Sequence, residues 1–200
     1  MTFDDAAAVP QAAVLVLQGL RHKRQVQPGQ RVLINGAGGG AGSFAVQIAK
    51  SFGAEVTGVD STSKLDMMRS IGADHVIDYT QEDFTQNGQR YDRIVDMAAH
   101  RSTVDYKRAL SPKGVYGMIG GSTPRILHTV FLGPLIALIG SKEMGLVLHK
   151  PNKDLAFIIE LFETGKVVSV IDRRYPLSEV AEALRYFGEG QAQGKVVITV

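Results

Sequence analysis

Residues 36–42 read Gly-Ala-Gly-Gly-Gly-Ala-Gly. A β-type apolar run, Arg31–Asn35, precedes them, and a run with apolar residues at helical spacing follows. A glycine-rich turn between a strand and a helix has a specific chemical use. The helix N-terminus presents unpaired N–H groups and a partial positive charge, so it can hold a pyrophosphate. Glycines let the backbone turn sharply and approach the phosphate closely. Two registers of the dinucleotide fingerprint fit: Gly36-x-Gly38-x-x-Ala41 and Ala37-x-Gly39-x-x-Gly42. The candidate contacts here are Ala37, Gly38, Gly39, Gly40, Ala41 and Gly42.

An acid near the end of the next strand completes the pattern. Asp60 stands 21 residues after Gly39, close to the ~20 at which a carboxylate meets the adenosine ribose hydroxyls. Such a carboxylate favours NAD and repels the 2′-phosphate of NADP. Ser61 and Lys64 pull the other way, because a hydroxyl and a cation suit a phosphate. The alternative is bland: Ser61 simply starts a helix and Lys64 is solvated. On balance the residues lean to NAD over NADP.

Ligands of parallel sheets bind at the carboxyl ends of the strands. That singles out Asp78-Tyr79, Met97-Ala98-Ala99 and Gly120-Gly121. Tyr79 can stack on adenosine, or serve as a rim aromatic. Ala98, Gly120 and Gly121 lie where the nicotinamide half would sit. Asp96 either points at the cleft or caps the loop after its strand. His100, His128 and His149 have no neighbouring carboxylate at a dyad spacing, so no catalytic residue is assigned. No metal ligand set is visible.

These residues need a scaffold, and the remaining sequence supplies one. Short β-branched runs alternate with helical-period runs, the mark of a parallel α/β sheet. Residues 6–20 are apolar nearly all round and predict one buried helix. Strands are predicted at 31–35, 55–59, 75–77, 92–96, 115–119 and 144–149, with 195–200 closing the chain. Ala41, Phe44, Ala45, Ile48, Ala49 and Phe52 share one helical face. Further helices are predicted around Leu65 to Ile71, from Ser102 to Leu110, and with Leu155, Ile158, Ile159 and Phe162 on one face. A last one, after Pro176, has Val180, Leu184 and Phe187 facing inward. The expected fold is a Rossmann-type, doubly wound α/β sheet in the order 3-2-1-4-5-6, with a short C-terminal helix and strand extension.

Composition narrows the function classes. The chain has 200 residues, with 22 Lys plus Arg against 20 Asp plus Glu, so no electrostatic case exists for nucleic acid. It has no Cys, which excludes a disulfide framework, a thiolate nucleophile and any Cys-based metal site. Residues 126–140 are apolar but shorter than the ~20 a bilayer span needs, and they contain His128, Gly133 and Pro134. They predict buried core or a subunit interface rather than membrane contact. The acidic start, without a basic region, gives no secretory signal, so a cytoplasmic setting is the default.

Four stretches together carry a family resemblance: NGAGGGAGSFAVQIAKSFGAEVTGVDS, MMRSIGADHVIDY, LSPKGVYGMIGG and YPLSEVAEALRYFGEGQAQGKVVITV. In this order they resemble the medium-chain dehydrogenase/reductase superfamily, and within it the zinc-independent quinone oxidoreductase-like branch. The resemblance implies NAD or NADP and hydride transfer to or from a quinone, an enone or a small carbonyl. It implies that Ala37, Gly39, Gly40 and Gly42 form the pyrophosphate register. Members of this family carry a β-rich catalytic domain ahead of the nucleotide domain, which is expected to be missing here. Residues 1–165 would then be the dinucleotide-binding domain. Residues 166–200 would be the segment that completes the front domain in relatives, and residues 167–171 and 195–200 could pair with each other. Three positions depart from the family pattern: Leu15, Ala41 and the Met97-Ala98-Ala99 stretch. The resemblance also implies a homodimer joined through the strand from Met144 to His149, a small-molecule substrate, and neither nucleic acid nor membrane as partner. Two other readings remain: a module that holds a dinucleotide without chemistry, or an enoyl reductase domain of a polyketide or fatty-acid synthase.

Overall fold

The computed structural model of the protein describes residues 2–200. Six strands form one sheet: β1 Arg31–Asn35, β2 Glu55–Asp60, β3 His75–Asp78, β4 Tyr91–Asp96, β5 Leu110–Met118 and β6 Glu143–Leu146. Their order is β3-β2-β1-β4-β5-β6, and every pairing is parallel. This is the predicted Rossmann-type order. Buried on both faces, the central strands read as apolar runs rather than alternating ones. Successive residues of β1 serve opposite layers: Val32 and Ile34 enter one core cluster, Leu33 the other.

The first layer holds α2 Pro10–Arg21, α3 Gly42–Ser51, α4 Leu65–Ser70 and α7 Leu155–Glu163, packed through Leu17, Phe44, Ile48, Met68 and Ile158. The second holds α5 Thr103–Ala109 and α6 Thr123–Ile139. There Tyr106 stacks on Tyr116 with ring centroids 4.6 Å apart. Helix α5 starts on a capping box in which Ser102 and Asp105 exchange hydrogen bonds with each other's backbone N–H.

Several boundaries differ from the sequence expectation. Residues 6–20 are not one helix. A short α1, Phe3–Ala8, stops at Val9, and Pro10 opens α2 at a position that needs no N–H donor. Strand β5 starts early at Leu110, with a register shift against β4 between Tyr91 and Arg93. Arg93 is buried without a carboxylate. Its guanidinium donates to the carbonyls of Gly19, His22 and Arg24, at the negative end of α2. Burial lowers its pKa to about 10, so it stays charged at neutral pH. His22, just after α2, is partly buried, and a Cβ on Gly145 would lie 3.4 Å from its Nε2. That burial, with Lys23 and Arg93 nearby, lowers its pKa.

Residues 126–139 fall within α6, with Gly140 as its C-cap, and the buried-core alternative fails for them. Only Thr129 and Gly133 of α6 are buried, while Leu138 and Ile139 are each 84% exposed. Gly133 lets the helix lie on β6, because a Cβ there would sit 2.5 Å from the Met144 carbonyl oxygen. No helix among the described residues is long and apolar enough to cross a membrane.

The last elements form a second, two-stranded sheet. Strand β7 Ile171–Pro176 pairs in parallel with β8 Lys195–Thr199, and α8 Val180–Gly188 connects them. The expected inward face of α8 is a correction: Leu184 and Phe187 are exposed, Val180 is half-buried, and Ala183 alone is buried. Two strands offer too little surface to cover an apolar helix stripe.

Candidate functional site

The glycine loop follows directly from the end of β1. Gly36 has φ +85°, which turns the chain out of the strand. The loop then folds tightly on the first turn of α3. A Cβ on Gly42 would overlap the Gly36 carbonyl oxygen and lie 2.6 Å from the Ala37 Cα. Ala37 itself is fully buried beneath the loop. The residue before α3 is Ala41, whose side chain cannot cap the helix. Among the described residues, the N–H groups of Gly40, Ala41 and Gly42 find no acceptor in the protein. All three residues line a cleft of about 610 Å³, inside the range of roughly 300–1,000 Å³ usual for small-molecule sites.

Asp60 lies at the end of β2, beside the loop. Its Oδ2 accepts from the Gly38 N–H at 2.8 Å, and Oδ1 accepts from the Ser61 N–H at 2.9 Å. Lys64 Nζ lies 3.5 Å from Oδ1, and both side chains are nearly buried, at 8% and 10% exposure for Lys64 and Asp60. Lys64 is therefore not a solvated side chain. It lines the cleft with Asp60 and Tyr79. Ser61 caps nothing with its side chain and does not line the cleft.

The far side of the cleft is built from the strand ends β4 and β5. Asp96 is completely buried and caps its own loop. Its carboxylate accepts from Asn35 Nδ2 at 2.8 Å, Tyr116 Oη at 2.8 Å and the Ala98 N–H at 3.1 Å. Burial raises its pKa, and these hydrogen bonds partly offset that effect. Ala98 lines the cleft, and its carbonyl accepts from Asn35 Nδ2 at 3.2 Å. Gly120 and Gly121 do not line it. They pack behind the Met97-Ala98-Ala99 loop, where a Cβ on Gly120 would lie 2.7 Å from the Met97 carbonyl oxygen. The glycines thus allow close backbone packing at the rear of the loop.

Sequence reasoning assigned no role to two parts of this cleft. His100 lies on its rim, with Nδ1 2.9 Å from the Ala98 carbonyl and its ring 6.3 Å from that of Tyr79. A carbonyl only accepts, so Nδ1 carries the proton in this arrangement. The other part is the C-terminal segment, where Phe187, Gly190, Ala192 and Gly194 form a wall. The Gly194 N–H donates to the Gly38 carbonyl at 3.0 Å, and Gly39 and Gly194 form a parallel bridge. Gly194 has φ +97°, and a Cβ there would overlap the Val170 carbonyl oxygen. Gly194 was a usable signal of close backbone approach, whereas a Cβ on Gly188 or Gly190 would meet nothing within 4 Å.

These features fit a dinucleotide. Unpaired N–H groups at a helix start suit a pyrophosphate, and the loop leaves no room for side chains at Gly42. They do not fit zinc. The sequence has no Cys, and no group of three or more His, Asp or Glu comes together among the described residues.

Comparison with known proteins agrees with the fold. The family described as "Zinc-binding dehydrogenase" matches residues 71–198. The chain is 34% identical over 202 residues to 2-methylene-furan-3-one reductase of Solanum lycopersicum, covering 99% of this chain and 47% of that protein. It is 30% identical over 223 residues to the mitochondrial NAD(P)H oxidoreductase RTN4IP1 of Mus musculus, covering 100% of this chain and 56% of that one. The solved quinone oxidoreductase of Coxiella burnetii superposes with a TM-score of 0.85 at 26% identity, over 100% of this chain and 62% of that one. The chain thus spans about half the length of the curated relatives it matches. With its sheet order, its glycine loop and these matches, the chain belongs to the zinc-binding dehydrogenase family, as a quinone oxidoreductase-like member of the medium-chain dehydrogenase/reductase superfamily.

Proposed function

We propose that the cleft binds NAD or NADP and that the chain is the cofactor-binding portion of an oxidoreductase acting on a quinone, an enone or a small carbonyl/alcohol pair. The observation that carries this is the set of unpaired N–H groups at Gly40, Ala41 and Gly42, at the start of α3. They hold the pyrophosphate, and the α3 dipole adds to their pull. Asp60, Lys64 and Tyr79 face the adenosine half, with Ser61 beside them. Ala98 forms the wall for the nicotinamide half, and Gly120 and Gly121 support that wall from behind. When bound, the nicotinamide supplies or takes up the hydride. The protein's own part is then to orient the ring and exclude water. The division near residue 165 belongs to the same reading, with the later residues joining a catalytic domain. A cytoplasmic setting agrees with a chain free of cysteine. The mouse relative is named as mitochondrial.

Saturating NADH or NADPH is expected to raise the thermal unfolding midpoint of the 200-residue chain. No shift with either would remove the dinucleotide reading. Turnover of quinones or enones would support the oxidoreductase. Binding without turnover would favour the second reading, a non-catalytic dinucleotide module.

The reading includes a homodimer joined along β6. Strand β6 pairs with β5 on one side only, and the adjoining α6 exposes Phe131, Leu135, Leu138 and Ile139. An open strand edge beside an apolar face suits a second copy of the same sheet. Sedimentation at micromolar concentration should give a dimer, and Leu146→Pro should give a monomer: the Val147 N–H donates to Met118 of β5, so the Leu146 N–H faces the open edge, and proline removes that donor. A wild-type monomer would discard the interface.

A further inference from the structure

We propose that this chain does not discriminate strongly between NAD and NADP, because the Asp60 carboxylate is already committed to Lys64 and to the glycine loop. The inference rests on the dinucleotide reading above. A carboxylate offers about four acceptor positions. On Asp60, the Gly38 and Ser61 N–H groups take up two, and Lys64 Nζ stands 3.5 Å from Oδ1 in ion-pair contact. The ribose hydroxyls therefore meet a carboxylate already shared with the loop and the lysine, so the usual grip that favours NAD is weakened. Charge works in the same direction. Asp60 alone would repel a 2′-phosphate, but the Asp60–Lys64 pair is neutral overall and nearly buried, so that repulsion is largely cancelled.

Lys64 is also held in place. It follows Asp60 by four residues, across the short 3₁₀ turn Thr62–Lys64. Its stem crosses Gly38 so closely that a Cβ there would lie 2.7 Å from both Cβ and Cδ of Lys64. The cation therefore stays beside Asp60 and the cleft. Asp60 gains a different role, as the residue that pins Gly38 and keeps the loop in shape.

The test is a titration of the 200-residue chain with NADH and with NADPH, followed by nicotinamide fluorescence and checked by calorimetry. The two dissociation constants should agree within about tenfold. Lys64→Met keeps the stem over Gly38 and removes the charge. It should weaken NADPH by about tenfold or more and NADH by less than about threefold. Asp60→Asn keeps an acceptor for the Gly38 N–H and should shift the ratio towards NADPH. A wild-type preference beyond tenfold, or equal losses for both cofactors in Lys64→Met, would overturn the proposal. Failure of the wild type to bind either cofactor would instead remove the dinucleotide reading itself. Circular dichroism confirms that each variant is folded before its ratio is used.

Discussion

Gly42→Ala is expected to abolish dinucleotide binding and to destabilise the fold by roughly 3 kcal/mol or more. The new methyl group would overlap the Gly36 carbonyl oxygen and lie 2.6 Å from the Ala37 Cα and carbonyl carbon. These are backbone atoms, which cannot rotate away as a side-chain tip can. The loop must open instead, and that shifts the N–H groups at Gly40, Ala41 and Gly42. Gly88→Ala serves as the control. Gly88 has φ +80° and open space around it, so its alanine variant should lose only about 1–2 kcal/mol, the cost of a left-handed residue. It should bind as the wild type does. Urea unfolding and the NADH-dependent midpoint shift report both effects. A Gly42→Ala protein with wild-type binding would show that the loop is not the site.

The second large effect is expected at Asp96. Replacing it with alanine leaves one Asn35 amide N–H, the Tyr116 hydroxyl and the Ala98 N–H without their acceptor in the buried interior. Unpaired buried donors cost about 1–3 kcal/mol each. Partial rearrangement brings the expected loss to roughly 3–5 kcal/mol. A loss below about 1 kcal/mol would mean the cluster is not cooperative. The pH dependence has a definite sign. Burial raises the folded-state pKa of Asp96, so the folded state holds this proton more tightly than the unfolded one. The group's stabilising contribution is therefore full below about pH 4 and declines as pH rises through the folded pKa. Asp96→Asn removes that slope. The stability advantage of wild type over Asp96→Asn should shrink as pH rises above about 4, and an advantage that grows would contradict the assignment.

The sheet could be read from the sequence because its strands are buried on both sides. That forces continuous apolar runs such as Arg31–Asn35, which the glycines and turns then separate. The pyrophosphate loop was equally legible, since its chemistry is local: strand, glycines and helix follow one another in the chain. The partners of Asp60 were not legible. The Gly38 N–H and Lys64 Nζ reach it only after the loop has folded back and the lysine has taken one rotamer. Sequence reasoning left Asp96 between two roles, and the backbone of Ala98 decides for the capping one. Helix α8 misled for another reason. Its pattern is amphipathic, but the surface that would cover Leu184 and Phe187 is not among the described residues. Periodicity reports that a face needs a partner without saying whether the same chain supplies it.

The contact of Gly194 with Gly38 and Gly39 bears on how the protein is made. Synthesis runs from the N-terminus, and an α/β sheet of this kind can begin to collapse as its strands emerge. The glycine loop precedes the tail in the chain, and one wall of its cleft arrives only with Gly190, Ala192 and Gly194. A nascent chain stopped before those residues would carry the fingerprint but not the enclosed cleft. The cleft therefore gains its last wall only when residues far along the chain from the loop have been translated, so the site is a product of the folded domain rather than of the local strand-loop-helix unit.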